Sequence, residues 1–128
     1  MAKKETAVAI PEEVVMNKIY YIRNQKVMLD SDLAELYGVE TKRLKEQVKR
    51  NIERFPARYM FELTKEEAEA SRSQIATLKR GENIKYVPYA FTEHGVLMLS
   101  NVLKSKRAIE VSMRIIDVFI ALRESIAN

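Results

Sequence analysis

Hydrophobic and polar positions along the chain change from strand-like to helix-like spacing, and the changes mark the predicted elements. Residues 19–29 contain two runs rich in β-branched and aromatic residues, IYYI and VML, separated by the polar segment Arg23 to Lys26. Asn24 in that segment tolerates a positive φ, so the sequence predicts a β-hairpin. Residues 1–16 lack such periodicity, and we expect them to form a flexible N-terminal arm.

The next segment shows the spacing of two short helices joined by a glycine. Asp30 and its neighbours are typical of a helix start, and Gly38 is typical of a helix end because it adopts left-handed backbone dihedrals easily. Thr41 is expected to cap a second helix over residues 41–51, with Leu44 facing the core. A small residue, a glycine and a core anchor at positions i, i+4 and i+10 fit a helix-turn-helix over residues 31–51.

Two further strands and two further helices are predicted before the end of the chain. The strands are expected at residues 59–63 and 84–91. Between them, Thr64 and Glu67 have the spacing of a capping box for a helix that runs to about residue 78. Thr92 is expected to cap a short helix that follows the second strand.

The longest predicted helix covers residues 106–127. One stripe contains Val111, Ile115 and Val118, and further apolar residues, among them Ile109 and Ile116, lie beside or behind it. This width indicates a helix covered on two sides, the second cover being either this domain or another copy of the chain. A homodimer through this helix is the favoured interpretation. The predicted fold class is α+β, a small winged-helix-like domain over residues 17–128.

Composition excludes several functional classes. The chain has 128 residues, no cysteine and one histidine, which excludes disulfides, zinc fingers and cysteine nucleophiles. No apolar run is long enough for a signal peptide or a membrane span, so a cytoplasmic protein without a membrane partner is expected. No cofactor, metal site or small-molecule substrate is predicted. An enzyme is the least favoured class, because no carboxylate cluster or His and Asp constellation has suitable spacing.

Positive charge is concentrated on the second helix of the two-helix segment. The whole chain carries a net charge of +4, whereas residues 41–58 carry seven cations and two carboxylates, or +5. Such a helix suits the phosphates and the major groove of duplex DNA, although a solvated charged face is the commoner meaning of the pattern. The predicted DNA-binding residues are Thr41, Lys42, Arg43, Lys45, Glu46, Lys49, Arg50 and Arg54.

These residues are expected to have different roles. Lys42, Arg43 and Lys45, near the helix start, are best placed for base edges. Lys49, Arg50 and Arg54, further along the chain, are expected to contact phosphates. Glu46 either accepts a hydrogen bond from a cytosine amine or pairs with Lys42 or Lys49, and the pairing is the favoured interpretation.

Two alternatives stay open on the sequence alone. Lys79, Arg80 and Lys85 could add a second phosphate contact in the manner of a wing, but a charged, solvent-exposed turn is the favoured interpretation. The basic helix could also dock an acidic protein partner without reading bases. His94 lacks a nucleophile partner and is interpreted as a structural or surface residue.

Several separated runs resemble a known family. The segments QKVMLDSDLAELYGVETKRLKEQVKRNIERFP, MFELTKEE, RSQIATL and PYAFTEHGVLMLSNVLKSKRAIEVSMRII are similar to the phage antirepressor-type DNA-binding domain related to the KilA N-terminal domain. The resemblance implies an α+β domain of bacterial or phage origin that binds DNA in transcription regulation. It also implies frequent fusion to a C-terminal module, so the chain is expected to be either a stand-alone protein or the DNA-binding part of a longer one.

Overall fold

A computed structural model describes residues 10–74 and 87–127 and confirms the α+β class. Four antiparallel strands form one sheet in the order β1-β2-β4-β3. The elements are α1 (Glu12–Met16), β1 (Ile19–Ile22), β2 (Gln25–Leu29), α2 (Asp30–Tyr37), α3 (Thr41–Arg50), a 3-10 turn (Ile52–Arg54), β3 (Met60–Glu62), α4 (Lys65–Gln74), β4 (Tyr89–Phe91), α5 (Glu93–Leu103) and α6 (Lys106–Ala127).

The predicted hairpin is formed by β1 and β2. Its loop contains only Arg23 and Asn24, and both have positive φ values, 56° and 61°. Two successive left-handed residues give a turn whose twist matches that of the strands. The Arg23 guanidinium then reaches the start of α4, where it binds Glu67 through two nitrogens at 2.7 and 3.0 Å.

The central part of the sheet is buried on both faces, as the three buried residues of β4 and the last three of β2 show. Met28 of β2 and Phe91 of β4 belong to the larger core, together with residues of α1, α2, α3, α5 and α6. Val27 and Ala90, one residue away, point to the other face and pack with Ala68 of α4. The helices therefore cover the sheet as an outer layer on each side.

Two of the predicted helix caps, the capping box at Thr64 and the cap at Thr92, are confirmed. The Thr64 amide donates to Glu67 Oε1 at 2.8 Å and the Glu67 amide donates to Thr64 Oγ1 at 3.1 Å. At the start of α5, Thr92 Oγ1 accepts from the Gly95 amide at 3.3 Å. Gly95 lies against the backbone before β3, where an added Cβ would be 2.0 Å from the Tyr59 carbonyl oxygen.

The N-terminal arm predicted for residues 1–16 is wrong for its second half. Residues 12–16 form α1, and Val15 is completely buried in the larger core. The Ile10 carbonyl accepts a hydrogen bond of 2.9 Å from Arg114 Nε. Residues 1–9 lie outside the described residues. Three consecutive apolar residues in a helix of only five are too short a pattern to predict this docking.

Two predicted strands are shorter in the structure. Tyr59 is excluded from β3 because its amide donates to the Pro56 carbonyl in a turn, at 2.7 Å. In the segment predicted as a strand over residues 84–91, only Tyr89–Phe91 is a described strand. Residues 84–86, like residues 75–78 of the predicted fourth helix, lie outside the described residues.

Candidate nucleic-acid interface

The turn between α2 and α3 forms as the glycine predicts. Gly38 has φ 77° and ψ 32°, and α2 ends there. The Val39 amide donates to the Ala34 carbonyl at 3.0 Å, which satisfies one of the free carbonyls at the helix end. We call α2, the three turn residues and α3 the two-helix unit.

The inner side of α3 is fixed in the core. Leu44 and Val48 are both completely buried, as the sequence predicts. Thr41, however, does not cap the helix, because it is already the first helical residue and follows Glu40, which has an extended backbone and makes no side-chain cap bond. The hydroxyl-bearing residue stands one position too late to reach the free amides.

The start of α6 holds the end of α2. Arg107 Nε donates to the Tyr37 carbonyl at 3.1 Å, and a second Arg107 nitrogen donates to the Leu36 carbonyl at 3.0 Å. The Tyr37 hydroxyl lies 2.7 Å from Ser112 Oγ, and burial raises the pKa of Tyr37 to about 12. These contacts fix the two-helix unit on the longest helix of the fold.

Five of the predicted DNA-binding residues are exposed cations and form what we call the cationic surface. They lie on α3 and on the 3-10 turn that follows it: Lys42, Arg43, Lys49, Arg50 and Arg54. A groove of about 370 Å³ runs along α3 and is lined by Thr41, Lys42, Lys45, Glu46 and Lys49. This arrangement offers separate, hydrated positive charges beside a concave strip on one helix.

Lys45 differs from the predicted outward orientation. Its side chain is only 15% exposed, and its ammonium donates to the Val87 carbonyl at 2.6 Å. The same ammonium lies 3.8 Å from Asp30 Oδ2 and 4.4 Å from the centre of the Tyr89 ring. Lys45 lies at the edge of α3, about 100° from Leu44, and its long side chain bends toward the sheet. Its position favours a supporting role over contact with bases.

Asp30 is the buried partner in this arrangement. Its carboxylate accepts the Ser31 amide at 2.7 Å and the Tyr89 amide at 2.9 Å. Burial raises the pKa of Asp30, while the Tyr89 amide and the Lys45 ammonium act in the opposite direction. Burial also lowers the pKa of Lys45, against the attraction of Asp30. Asp30 thereby joins the start of α2, the middle of α3 and β4.

The favoured pairing of Glu46 with Lys42 or Lys49 is wrong. No ion pair of Glu46 occurs in the part of the chain that the structure describes, and its side chain is exposed beside the groove. A helical spacing of three or four residues permits such a pair but stabilises it by only about 0.5 kcal/mol. Glu46 therefore leaves a carboxylate acceptor in the centre of the cationic surface.

The other residues singled out in the sequence are three cations of the predicted turn and His94. Lys79, Arg80 and Lys85 lie outside the described residues. His94 is exposed and stacks on Tyr59, with ring centroids 5.8 Å apart, as a surface residue would. Residues 10–74 and 87–127 contain no group of three or more acidic or histidine side chains placed for a metal ion. No helix in these ranges is long and apolar enough to cross a membrane.

Sequence reasoning missed Asp30 and Arg107 as supports of the site. Asp30 was assigned only to the helix start, and its bond to Tyr89 spans 59 residues of sequence. Arg107 reaches back 70 residues to the end of α2. The local sequence does not indicate either contact. The one available hint is that Asp30 directly follows the apolar end of β2, where a carboxylate can become buried with a partner.

Comparison with known proteins gives one family. The profile of the ORF6N domain, a phage-associated domain family, matches residues 17–102 of the chain. The matched residues include the two-helix unit and the whole sheet, and they end before α6. Neither a curated protein nor a solved structure matches the chain.

Proposed function

The chain belongs to the ORF6N domain family, and we propose that it is a sequence-specific double-stranded DNA-binding protein that inserts α3 into the major groove. The observation that carries the proposal is the cationic surface on a helix whose opposite side is completely buried. Five exposed cations can neutralise phosphates, and the rigid inner side keeps them in register with the duplex. We further propose a role in transcription regulation, as a regulator or antirepressor of bacterial or phage origin acting in the cytoplasm.

The dimensions of α3 suit this placement. Its ten residues span about 15 Å, and the major groove, about 12 Å wide, admits one helix. The two-helix unit presents α3 with its inner residues Leu44 and Val48 in the core and its outer residues free. A DNA-binding helix-turn-helix has the same arrangement. Together with the resemblance to the KilA N-terminal domain, it supports the proposal that α3 contacts base edges in the major groove.

The proposed roles follow from position and exposure. Lys42 and Arg43, in the first turn of α3, contact base edges, and Arg43 can grip a guanine through two hydrogen bonds. Glu46, without an ion pair among the described residues, can accept from a cytosine amine. Lys49, Arg50 and Arg54 contact phosphates, which position the protein without reading sequence.

In this proposal Lys45 supports the position of α3 and does not contact bases. Held by Val87, Asp30 and Tyr89, it fixes the angle between α3 and the sheet. A helix that is fixed before binding loses less conformational entropy on the DNA. This role explains a lysine that points away from the outer side of a basic helix.

A selection of bound sequences from random duplex DNA tests the function. Enrichment of a common site supports sequence reading. Recovery of unchanged random sequence, with binding to an acidic polypeptide of similar charge density, would instead favour a module that docks an acidic protein.

Two substitutions then separate the roles on the enriched site. Arg43→Ala should reduce discrimination between the enriched and a shuffled site by about 1 to 3 kcal/mol, whereas Lys49→Ala should weaken both alike. Lys65→Ala, an exposed lysine on α4, is the matched control. Equal losses on both duplexes from the first two variants would contradict the assignment of roles.

A further inference from the structure

An apolar stripe on the outer side of α6 is only partly covered within the described chain, where Ile116 packs against the edge of the larger core. Ile109 is 45% exposed and Met113 is 61% exposed, and Ile116 and Ile120 are half-buried. The spacing of these residues is four, three and four, so at about 100° per residue they share one side of the helix. We call these four residues the α6 seam.

The seam is separate from the core side of the same helix. Val111, Ile115 and Val118 are almost completely buried against the rest of the domain. Side chains with alternating steps of three and four are those that interlock between two helices packed side by side. α6 also lies beyond residues 17–102, which the ORF6N domain matches.

We propose that the α6 seam pairs with the same seam of a second copy of this chain, with the two helices antiparallel. A self-complementary surface of this kind gives a closed two-fold dimer. When Met113 faces the partner's Ile116, Ile109 faces the partner's Ile120, and the same contacts repeat across the axis. The occupant is therefore another copy of the chain.

Charges beside the seam select the antiparallel orientation. Lys106 and Glu124 are both exposed and both lie about 60° to the same side of Ile109. In the antiparallel pair, Lys106 approaches the partner's Glu124, and symmetry repeats this contact. In a parallel pair, the flanks that carry these residues would lie on opposite sides of the seam, so Lys106 would not meet the partner's Glu124. Neither residue forms an ion pair within the described ranges.

The pairing stands independently of DNA binding and is measured without DNA. One helix face belongs to the size class below roughly 1,200 Å² that weak complexes occupy, so we expect a weak, reversible dimer. With DNA, the same dimer would repeat α3 along a palindromic site, because Arg107 and Ser112 of α6 hold α2 of the two-helix unit.

Sedimentation velocity of the whole chain from about 1 to about 300 µM tests whether the chain dimerises through the α6 seam. We expect conversion from monomer to dimer in the wild type and monomer throughout for Met113→Glu. Tyr21→Glu, on a β1 residue that is 66% exposed, is the matched control and should dimerise normally. Ile109→Lys serves if circular dichroism shows that Met113→Glu does not fold. Monomer at every wild-type concentration, or an unaffected dimer in the folded variants, would overturn the proposal.

Disulfide trapping tests the orientation, since the chain has no cysteine. A Lys106→Cys chain mixed with a Glu124→Cys chain should form mixed disulfides, and each alone should form few. Efficient self-linking of the Lys106→Cys chain would overturn the antiparallel arrangement. The exchange Lys106→Glu with Glu124→Lys in one chain should restore the dimer that either change alone weakens by about three- to tenfold in Kd.

Discussion

The Lys45 ammonium lies 3.8 Å from the Asp30 carboxylate, across the two-helix unit. Asp30 is completely buried, whereas Lys45 reaches it from the edge of an otherwise hydrated helix. The carboxylate also accepts the Tyr89 amide of β4, so one group links α2, α3 and the sheet. The orientation of α3 thus depends on a contact that lies outside the cationic surface.

Removal of Lys45 should therefore lower stability more than removal of its neighbour. Lys45→Met leaves the buried Asp30 without its cation, and we expect the free energy of unfolding to fall by about 1 to 3 kcal/mol. Lys49→Met, on an exposed lysine one turn later, should change it by less than about 0.5 kcal/mol. Urea unfolding followed by circular dichroism measures both, and equal effects would refute a supporting role for Lys45.

Substitution of Gly95 should be strongly destabilising although the residue is helical. Alanine in place of glycine usually stabilises a helix by about 1 kcal/mol. Here the new Cβ would be 2.0 Å from the Tyr59 carbonyl oxygen. We expect a net loss of about 3 kcal/mol in thermal or urea unfolding. Leu97→Ala on the exposed side of α5 is the control, and a stabilised Gly95→Ala protein would disprove the close approach.

The sequence predicted the parts of the fold that depend on local chemistry. The hairpin turn at Asn24, the capping box at Thr64 and the Thr92 cap each involve residues at most three apart. Gly38 ended α2 for the same reason, because its backbone freedom is a local property. Such features can be predicted from the sequence without knowledge of the tertiary structure.

Contacts distant in sequence could not be predicted in this way. Lys45 is expected to point outward from the helical spacing of about 100° per residue, which assigns it to the side of α3 opposite the inner residues. Its true partners, Asp30 and Val87, are 15 and 42 residues away and become neighbours only when the sheet closes. Burial of Val15 likewise depends on α6 and not on the residues around it.

Glu67 should make stability depend on acid pH. Arg23 and the Thr64 amide lower the pKa of Glu67 to about 2 from an ordinary value of 4.5. A lowered pKa contributes stability that is present above pH 4.5 and is lost as the pH falls through 2. Because the pair is at the surface, we expect Glu67→Gln to cost only about 1 kcal/mol at pH 6.

Urea unfolding of wild type and Glu67→Gln from pH 6 to pH 2 measures this dependence. The difference in free energy of unfolding between the two proteins should shrink as the pH falls from 4.5 toward 2. Over this range the stabilisation that comes from the lowered pKa of Glu67 is progressively lost. Glu66→Gln, on an exposed neighbour in α4, is the control. A difference that stays constant over the whole range would show that Arg23 does not stabilise the Glu67 carboxylate.

The most direct test of DNA binding by the cationic surface is the affinity for random duplex DNA across a salt series. Five exposed cations predict a slope of log affinity against log salt of about −4.5, and Lys49→Ala should reduce it to about −3.6. Lys65→Ala should leave the slope unchanged. A flat wild-type response, or a slope insensitive to Lys49→Ala, would contradict the claim that this surface binds DNA.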